Sequence, residues 1–136
     1  TKDVFYFGED VDVYKDGKVV NHGGTWHSGV KGAKCGLIMP GTIEKGDKYY
    51  QELAPGVADD RSEIISVDEK METPAGNFTK CLKIRETSLQ EPNHAEYKIY
   101  APGVGLVKDV DMKPTAYGFI KQSASPKNGN GAQSGQ

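Results

Sequence analysis

The sequence predicts an all-β protein, an antiparallel up-and-down meander that forms an open barrel or a sandwich. Short runs of alternating apolar and polar residues recur along the chain, and a period of two is typical of half-buried strands. Turn dipeptides containing glycine or proline separate these runs at intervals of ~8–12 residues, a spacing typical of sandwiches and barrels. No stretch keeps a 3.6-residue apolar period over three turns, so no long helix is expected.

The first predicted strands lie on either side of an Asp-Gly pair. Before that pair the apolar residues share one parity, which predicts a strand that buries one face. These residues are Phe5, Phe7, Val11 and Val13. Asp16–Gly17 lies between β-forming residues, and both central positions of a type I′ turn need φ > 0, which these residue types tolerate. We therefore predict a hairpin over Tyr14–Val20.

Turns bound the strands that are predicted in the middle of the chain. One short strand carries Trp26 between two glycine-rich stretches, and two others end at Pro40–Gly41 and at Pro55–Gly56. Residues 57–65 fit either one or two helical turns or a strand. The β-branched residues within Ile64–Val67 favour the strand.

A tight turn at Thr73–Asn77 opens the second half of the chain. It leads into a predicted strand over Phe78–Arg85, in which regular alternation places Cys81 on the more polar face. The remaining predicted apolar segments are Ala95–Ala101, Leu106–Val107 and Tyr117–Ile120.

The length of 136 residues predicts a single domain. We place the β domain over residues 1–121 and a flexible tail over residues 122–136, where Gly, Ser, Asn and Gln leave little to bury. No apolar run approaches the ~18–20 residues of a membrane span, so none is predicted. Seventeen basic and nineteen acidic residues give a net charge of −2 without a basic stripe, so nucleic acid is not an expected partner.

Aromatic residues on the predicted strands are the leading candidates for a ligand site. Amphipathic rings on a sheet face can hold sugars or apolar ligands, although aromatics are also favourable strand residues in their own right. The candidates are Tyr6, Tyr14, Trp26, Tyr50, Tyr97 and Tyr100. The sequence contains no cofactor motif, so no cofactor is predicted.

Metal ligation is a weaker hypothesis. Asp10 and Asp12 share one face of a strand and could hold a cation weakly, but they do not fit an EF-hand loop. The alternative is that they are charges on an edge strand that block sheet pairing. His22 and His27, with the distant His94, could bind zinc, but the glycine-rich loop of the first two fixes no geometry. We therefore predict no metal.

Two catalytic arrangements can be drawn from the sequence. Cys81 and His94 lie on sequential strands and could form a nucleophile–base pair, although no third group orients them. Carboxylates for acid–base chemistry could come from Glu52, Glu63, Glu86 and Glu96. Alternation places these glutamates on the solvent side or leaves them ambiguous, so we assign no catalytic residue and favour a non-catalytic protein. Cys35 and Cys81 form either one disulfide or two free thiols.

Five segments resemble an uncharacterised family of bacterial secreted or lipoprotein-like proteins. They are Phe5–Val11, Ala33–Met39, Gln51–Ala58, Thr73–Leu82 and Tyr100–Lys108, in unbroken order. The resemblance implies an antiparallel sheet, export to a periplasmic, extracellular or lipoprotein-like location, and no assigned activity or cofactor. Because family members carry an additional N-terminal half, the chain looks like the C-terminal part of the family domain. Cys81 falls on the cysteine of the family, whereas Cys35 does not.

Three functional hypotheses follow. The favoured one is a non-catalytic exported β-domain that binds a small molecule or a protein partner through its sheet. The first alternative is a subunit of an extracellular self-assembling structure, in which an open sheet edge near Val4–Phe7 and residues 116–136 form the contact. The second alternative is a small enzyme that uses Glu or Cys/His chemistry.

Overall fold

The computed structural model describes residues 1–119, and every regular element in that range is a β-strand. The strands are β1 (Val4–Tyr6), β2 (Gly8–Glu9), β3 (Val13–Lys15), β4 (Lys18–Asn21), β5 (Trp26–His27), β6 (Gly36–Met39), β7 (Lys48–Tyr50), β8 (Arg61–Thr73), β9 (Gly76–Thr87), β10 (Glu96–Ala101) and β11 (Gly105–Asp109). The prediction of an all-β fold is confirmed. The predicted domain end at residue 121 and the predicted tail over 122–136 lie outside the described residues.

Five strands form an antiparallel meander in the order β11-β10-β9-β8-β7. Its longest pair, β8 with β9, closes at the predicted tight turn, where Thr73 pairs with Gly76. The β-branched segment after residue 57 is part of β8, which begins at Arg61, so the strand alternative is the correct one there. Strands β7 and β11 pair on one side only within this sheet, so the meander is not closed into a barrel.

The other six strands form three two-stranded ribbons, β1–β6, β2–β5 and β3–β4. The β3–β4 ribbon is the predicted hairpin, with φ of 51° at Asp16 and 73° at Gly17. Both values lie in the left-handed region, as a type I′ turn requires. The prediction of this hairpin is confirmed.

The first ribbon buries the opposite set of residues from the one that alternation favours. Phe5 and Phe7 are 49% and 65% exposed, while Tyr6 packs edge-on against the buried ring of Trp26. Strand β1 ends at Tyr6 and β2 begins at Gly8, whose φ is 137° and whose backbone lies so close to the Trp26 carbonyl oxygen that a Cβ would overlap it. This close approach of two backbones fixes the orientation of Tyr6 and turns the two phenylalanines outward.

The meander has an inner face and an outer face. The inner face carries Ile64, Leu82 and Ile84, against which Met39 of β6 packs, so the β1–β6 ribbon covers this face. Cys81 keeps the parity of Lys83 and Arg85 along β9, but its thiol is fully buried in a cluster with residues of neighbouring strands, so the face that alternation marks as the more polar one is apolar at this point. The members of that cluster are Met71, Cys81, Ile99, Ala101 and Val107. Lys80 has a φ of 55°, and the register of β8 with β9 is irregular in this region.

The chain after β11 forms no further strand up to residue 119. The rings of Tyr117 and Phe78 meet edge-on with their centroids 5.6 Å apart, and Phe119 is fully exposed. The predicted last apolar segment is therefore irregular where it is described. Ile120 lies outside the described residues. No helix in the described part of the chain is long and apolar enough to cross a membrane.

Candidate functional site

A cleft lined by carboxylates opens at one end of the inner face of the meander. It has a volume of about 290 Å³. Its acidic lining residues are Glu9, Glu52, Asp60, Glu86, Glu91 and Glu96. His94 is the one basic residue among the described residues that line it. We call this site the acidic cleft.

Strand register brings two of these carboxylates together. Ser62, Glu86 and Glu96 pair across β8, β9 and β10, and paired residues in an antiparallel sheet point to the same face. Glu86 and Glu96 are therefore neighbours on the inner face. The imidazole Nε2 of His94 lies 3.2 Å from Oε1 of Glu96, at the mouth of the cleft.

The loop between β7 and β8 supplies two more carboxylates. The backbone N–H groups of Gln51 and Glu52 both donate to the carbonyl oxygen of Asp60, at 2.8 and 3.2 Å. The Ser62 hydroxyl donates to Oε1 of Gln51 at 3.2 Å, which fastens the loop to β8. The turn around Pro55 thereby places Glu52 and Asp60 side by side.

Glu86 is the most deeply buried acid of the cleft, with 4% of its surface exposed. Its Oε2 accepts a hydrogen bond from the Lys98 ammonium at 2.8 Å, whereas its buried Oε1 has no partner among the described residues. Burial raises the pKa of Glu86, and Lys98 opposes that shift. For Lys98, the hydrogen bond and charge of Glu86 outweigh the effect of burial and raise the pKa. Lys98 thus satisfies one carboxyl oxygen of Glu86 and leaves the other without a described partner.

Glu52 carries the most perturbed carboxyl group of the cleft. It is 7% exposed, and its side chain makes no ion pair or hydrogen bond with another described residue. Burial, followed by the charges of Asp60 and Glu9, raises its pKa to about 7, against a smaller opposing effect of Lys98. Burial also raises the pKa of Asp60. A carboxyl group that titrates near neutral pH can hold a cation or transfer a proton.

Glu9 joins the cleft from the N-terminal ribbons. It follows Gly8 in β2 and pairs with Trp26 of β5, and its Oε2 accepts a hydrogen bond from the Tyr6 hydroxyl at 2.9 Å. Burial and the neighbouring Glu9 raise the pKa of Tyr6, so this hydroxyl remains a donor. The ribbons therefore add the carboxylate of Glu9 to the cleft, together with the Tyr6 hydroxyl that donates to it.

Three of the four glutamates considered for acid–base chemistry meet in this cleft, namely Glu52, Glu86 and Glu96. The fourth, Glu63, lies on the outer face, where it contacts Arg85 at 3.4 Å and Lys48 at 3.7 Å. Alternation placed Glu52 and Glu86 on the solvent side or left them ambiguous. Both are buried because a loop and the ribbons cover their end of the inner face.

The six aromatic candidates do not form one surface. Tyr6 and Trp26 pack on each other, and Tyr14 is exposed in the β3–β4 hairpin. Two tyrosines lie on the outer face, each beneath a cation at 5.0 Å, and these pairs are Tyr50–Arg61 and Tyr97–Lys83. Tyr100 lies on the inner face, at the end far from the acidic cleft.

The remaining candidates are also separated. Asp10 contacts His27 at 3.1 Å, and Asp12 contacts His22 at 2.8 Å, so each aspartate has an imidazole partner at the surface. No group of three or more His, Cys, Asp or Glu among residues 1–119 has the arrangement of a metal site. Cys35 and Cys81 are free thiols. Burial raises the pKa of the Cys81 thiol. His94 lines the acidic cleft, to which Cys81 does not belong, so the two do not form the nucleophile–base pair considered above.

Sequence reasoning missed Glu9, Asp60 and Glu91 as cleft residues. One usable signal was the Pro55–Gly56 turn, because a tight reversal there brings Glu52 and Asp60 to the same place. The contributions of Glu9 and Glu91 come from separate parts of the chain and have no signature in local spacing.

Comparison of the chain with protein-family models, with curated proteins and with solved structures finds no match.

Proposed function

We propose that the protein is a non-catalytic binding domain that takes an organic cation, an amine or a guanidinium, in the acidic cleft on the inner face of its sheet. The observation that supports this proposal is the buried Oε1 of Glu86, which has no described partner and lies beside the equally buried Glu52. A bound cation would supply the missing partner.

The charge balance of the cleft gives the physical reason. Burying a carboxylate is costly unless a counter-charge and hydrogen bonds compensate for lost water. Six acidic residues line the cleft, and the ion pairs that they form with described residues are Glu86 with Lys98 and Glu96 with His94. An ammonium or guanidinium group carries several N–H donors and a positive charge. It would therefore supply both the hydrogen bonds and the counter-charge that the carboxylates of the cleft lack.

Calorimetric titration at pH 8 tests this proposal with butylamine, butylguanidine and spermidine. Butanol and butyrate serve as neutral and anionic controls. We expect saturable binding of the cations alone, and at least a tenfold loss of affinity in Glu86→Gln and in Glu52→Gln. Glu63→Gln is the matched control, since Glu63 lies on the outer face, and it should bind as the unaltered protein does.

Two outcomes contradict the proposal. One is the absence of saturable binding by all three cations, and the other is equal binding of butanol. The affinity for cations should also rise as the pH increases through about 7, because a cation binds the ionised form of Glu52. A pH-independent affinity would remove Glu52 from the binding site.

Export remains part of the proposal, and its support is the resemblance of the five segments to secreted and lipoprotein-like bacterial proteins. Fusion of the full gene product to a reporter that matures only outside the cytoplasm tests it. A reporter active only in the cytoplasm contradicts it.

Self-assembly is a second candidate because of the free edge of β1. That strand pairs with β6, and its other edge has no partner among the described residues. The exposed rings of Phe5 and Phe7 lie 6.4 Å apart beside this edge. An unpaired edge with exposed aromatics favours strand addition from another chain.

Light scattering of the full chain over a range of concentrations tests this candidate. We expect oligomers that Phe5→Lys with Phe7→Lys dissociates and that Tyr14→Lys, at an exposed ring in another ribbon, leaves intact. A chain that ends at Lys121 separates the contribution of the last fifteen residues. A monomeric full chain at every concentration would rule out this function.

A further inference from the structure

The inner face of the meander opens a second time, at the end opposite to the acidic cleft. A groove of about 540 Å³ lies there, between the β1–β6 ribbon and the strands β8 to β10. Its principal apolar lining residues are Val4, Ile38, Met39, Ile43, Val67 and Leu82. We call it the apolar groove. Its volume lies within the ~300–1,000 Å³ typical of small-molecule sites.

The apolar groove leaves hydrophobic side chains in contact with water. Val4 is 51% exposed and Val67 is 45% exposed, although both line this concave surface, and Leu82 forms part of its buried wall. When an apolar ligand enters a concave site, the apolar surface is removed from water and the free energy falls. A hydrocarbon chain therefore matches both the shape and the apolar character of the groove walls.

One charged residue, Lys80, lines the apolar groove in the part of the chain that is described. Lys80 is exposed and forms no ion pair with another described residue. Its φ of 55° holds it in the left-handed region, next to the buried Cys81. An ammonium without a counter-ion beside an apolar groove complements an anionic head group.

We infer that the apolar groove binds an anionic single-chain amphiphile, a medium-chain carboxylate, with its chain along the apolar walls and its carboxylate at Lys80. This inference goes beyond the proposed function and is independent of it, because the two sites share no lining residue. Residues 122–136 are polar in composition and contain no apolar segment that could be the occupant.

Titration with octanoate, decanoate and dodecanoate below their micelle concentrations tests the inference. We expect the affinity to rise about fourfold per added methylene, which corresponds to about 0.8 kcal/mol, until the groove is filled. Decanol should bind about five- to tenfold more weakly than decanoate, because it lacks the negative charge that pairs with the Lys80 ammonium.

Variants separate the contribution of the head group from that of the chain. Lys80→Asn removes the ammonium while keeping a residue that tolerates positive φ, so it should weaken decanoate about five- to tenfold and leave decanol unchanged. Lys70→Asn, at another exposed lysine without a described ion pair, is the matched control and should change neither. Val67→Asp places a like charge on the wall and should weaken both ligands, with decanoate affected more.

Three results would overturn the inference. They are an affinity independent of chain length, equal binding of decanol and decanoate, and an unchanged decanoate affinity in Lys80→Asn. A concentration-dependent dimer that Val67→Asp dissociates, without carboxylate binding, would assign the groove to a second copy of the chain and overturn it as well. Cation binding in the acidic cleft should be the same in all three variants, so failure of one proposal is distinguishable from failure of the other.

Discussion

The acidic cleft and the apolar groove lie at opposite ends of the same sheet face, yet they differ in nearly every property. Along β9 the inner-face residues pass from Leu82 in the groove, through the fully buried Ile84, to Glu86 in the cleft. Met39 of the β1–β6 ribbon and Tyr49 of β7 pack on the middle of this face, and the β7–β8 loop forms a wall of the cleft at one end. Both ends stay open, one polar and one apolar.

The two sites differ in the kind of interaction that is left unsatisfied. In the cleft, carboxylates have lost water without gaining enough counter-charge, so the deficit is electrostatic. In the groove, apolar side chains remain in water, so the deficit is hydrophobic. The comparison predicts that changes in the cleft alter stability strongly and with pH, whereas changes in the groove alter it weakly and without pH dependence.

The largest effect is expected for Lys98→Met. This change removes the cation that pairs with the buried Glu86 and leaves its carboxylate without compensation. Loss of one partner of a buried pair costs about 3–5 kcal/mol, so the free energy of unfolding in urea should fall by about that amount. Lys48→Met is the control, because Lys48 contacts Glu63 on the exposed outer face and its loss should cost less than about 0.5 kcal/mol. Equal losses in both variants would contradict the distinction between the faces.

The next effect is the pH dependence that Glu52 introduces. Its pKa is about 7 in the folded protein and 4.5 ordinarily, so the folded state binds this proton more tightly than the unfolded chain. Its contribution to stability is therefore fully present below pH 4.5 and is lost as the pH rises through about 7. Glu52→Gln should stabilise the protein by up to about 3 kcal/mol at pH 8 and leave it nearly unchanged at pH 4.5.

Urea unfolding at pH 4.5 and pH 8 measures this difference. Glu63→Gln, on the outer face, serves as the comparison and should not show the same gain at high pH. A Glu52→Gln variant that is no more stable than the unaltered protein at pH 8 would show that water reaches this carboxyl freely.

A smaller effect is expected at the β3–β4 hairpin, which contributes no residue to either site. Gly17 has a φ of 73°, where a β-branched side chain is strained, so Gly17→Val should cost about 1 kcal/mol or more. Thermal unfolding measures the loss, with Lys18→Val as a control inside strand β4. Changed ligand binding at either site in Gly17→Val would show that the hairpin supports them.

The smallest effect is expected in the apolar groove. Val67→Thr replaces a methyl group with a hydroxyl at a side chain that already meets water, so stability should change by less than about 0.5 kcal/mol at every pH. Urea unfolding at pH 4.5 and pH 8 measures it. A loss above about 1 kcal/mol would mean that the wall of the groove is packed and closed in solution.

Local chemistry determined much of the fold. The Asp16–Gly17 hairpin depends on two residues that tolerate positive φ, and the turn before Gly76 depends on Pro74 and its neighbours. The β-branched residues near Ile64 favour extended backbone whatever surrounds them. These features depend only on residues that are adjacent in the sequence. The sequence by itself therefore indicated the strands, the turns and the all-β class.

Tertiary structure alone decided which faces are covered and where charges meet. Alternation reports that residues share a face, but not whether that face is buried, so Tyr6 lies inside while Phe5 lies outside. The irregular backbone at Lys80 accompanies the burial of Cys81. The carboxylates of the cleft come from separate segments of the chain. The Pro55–Gly56 turn accounts for Glu52 and Asp60, but the pairing of β9 with β10 and the approach of Gly8 to Trp26 are needed to bring Glu86, Glu96 and Glu9 to the same place. Such contacts depend on long-range packing, which no local pattern encodes.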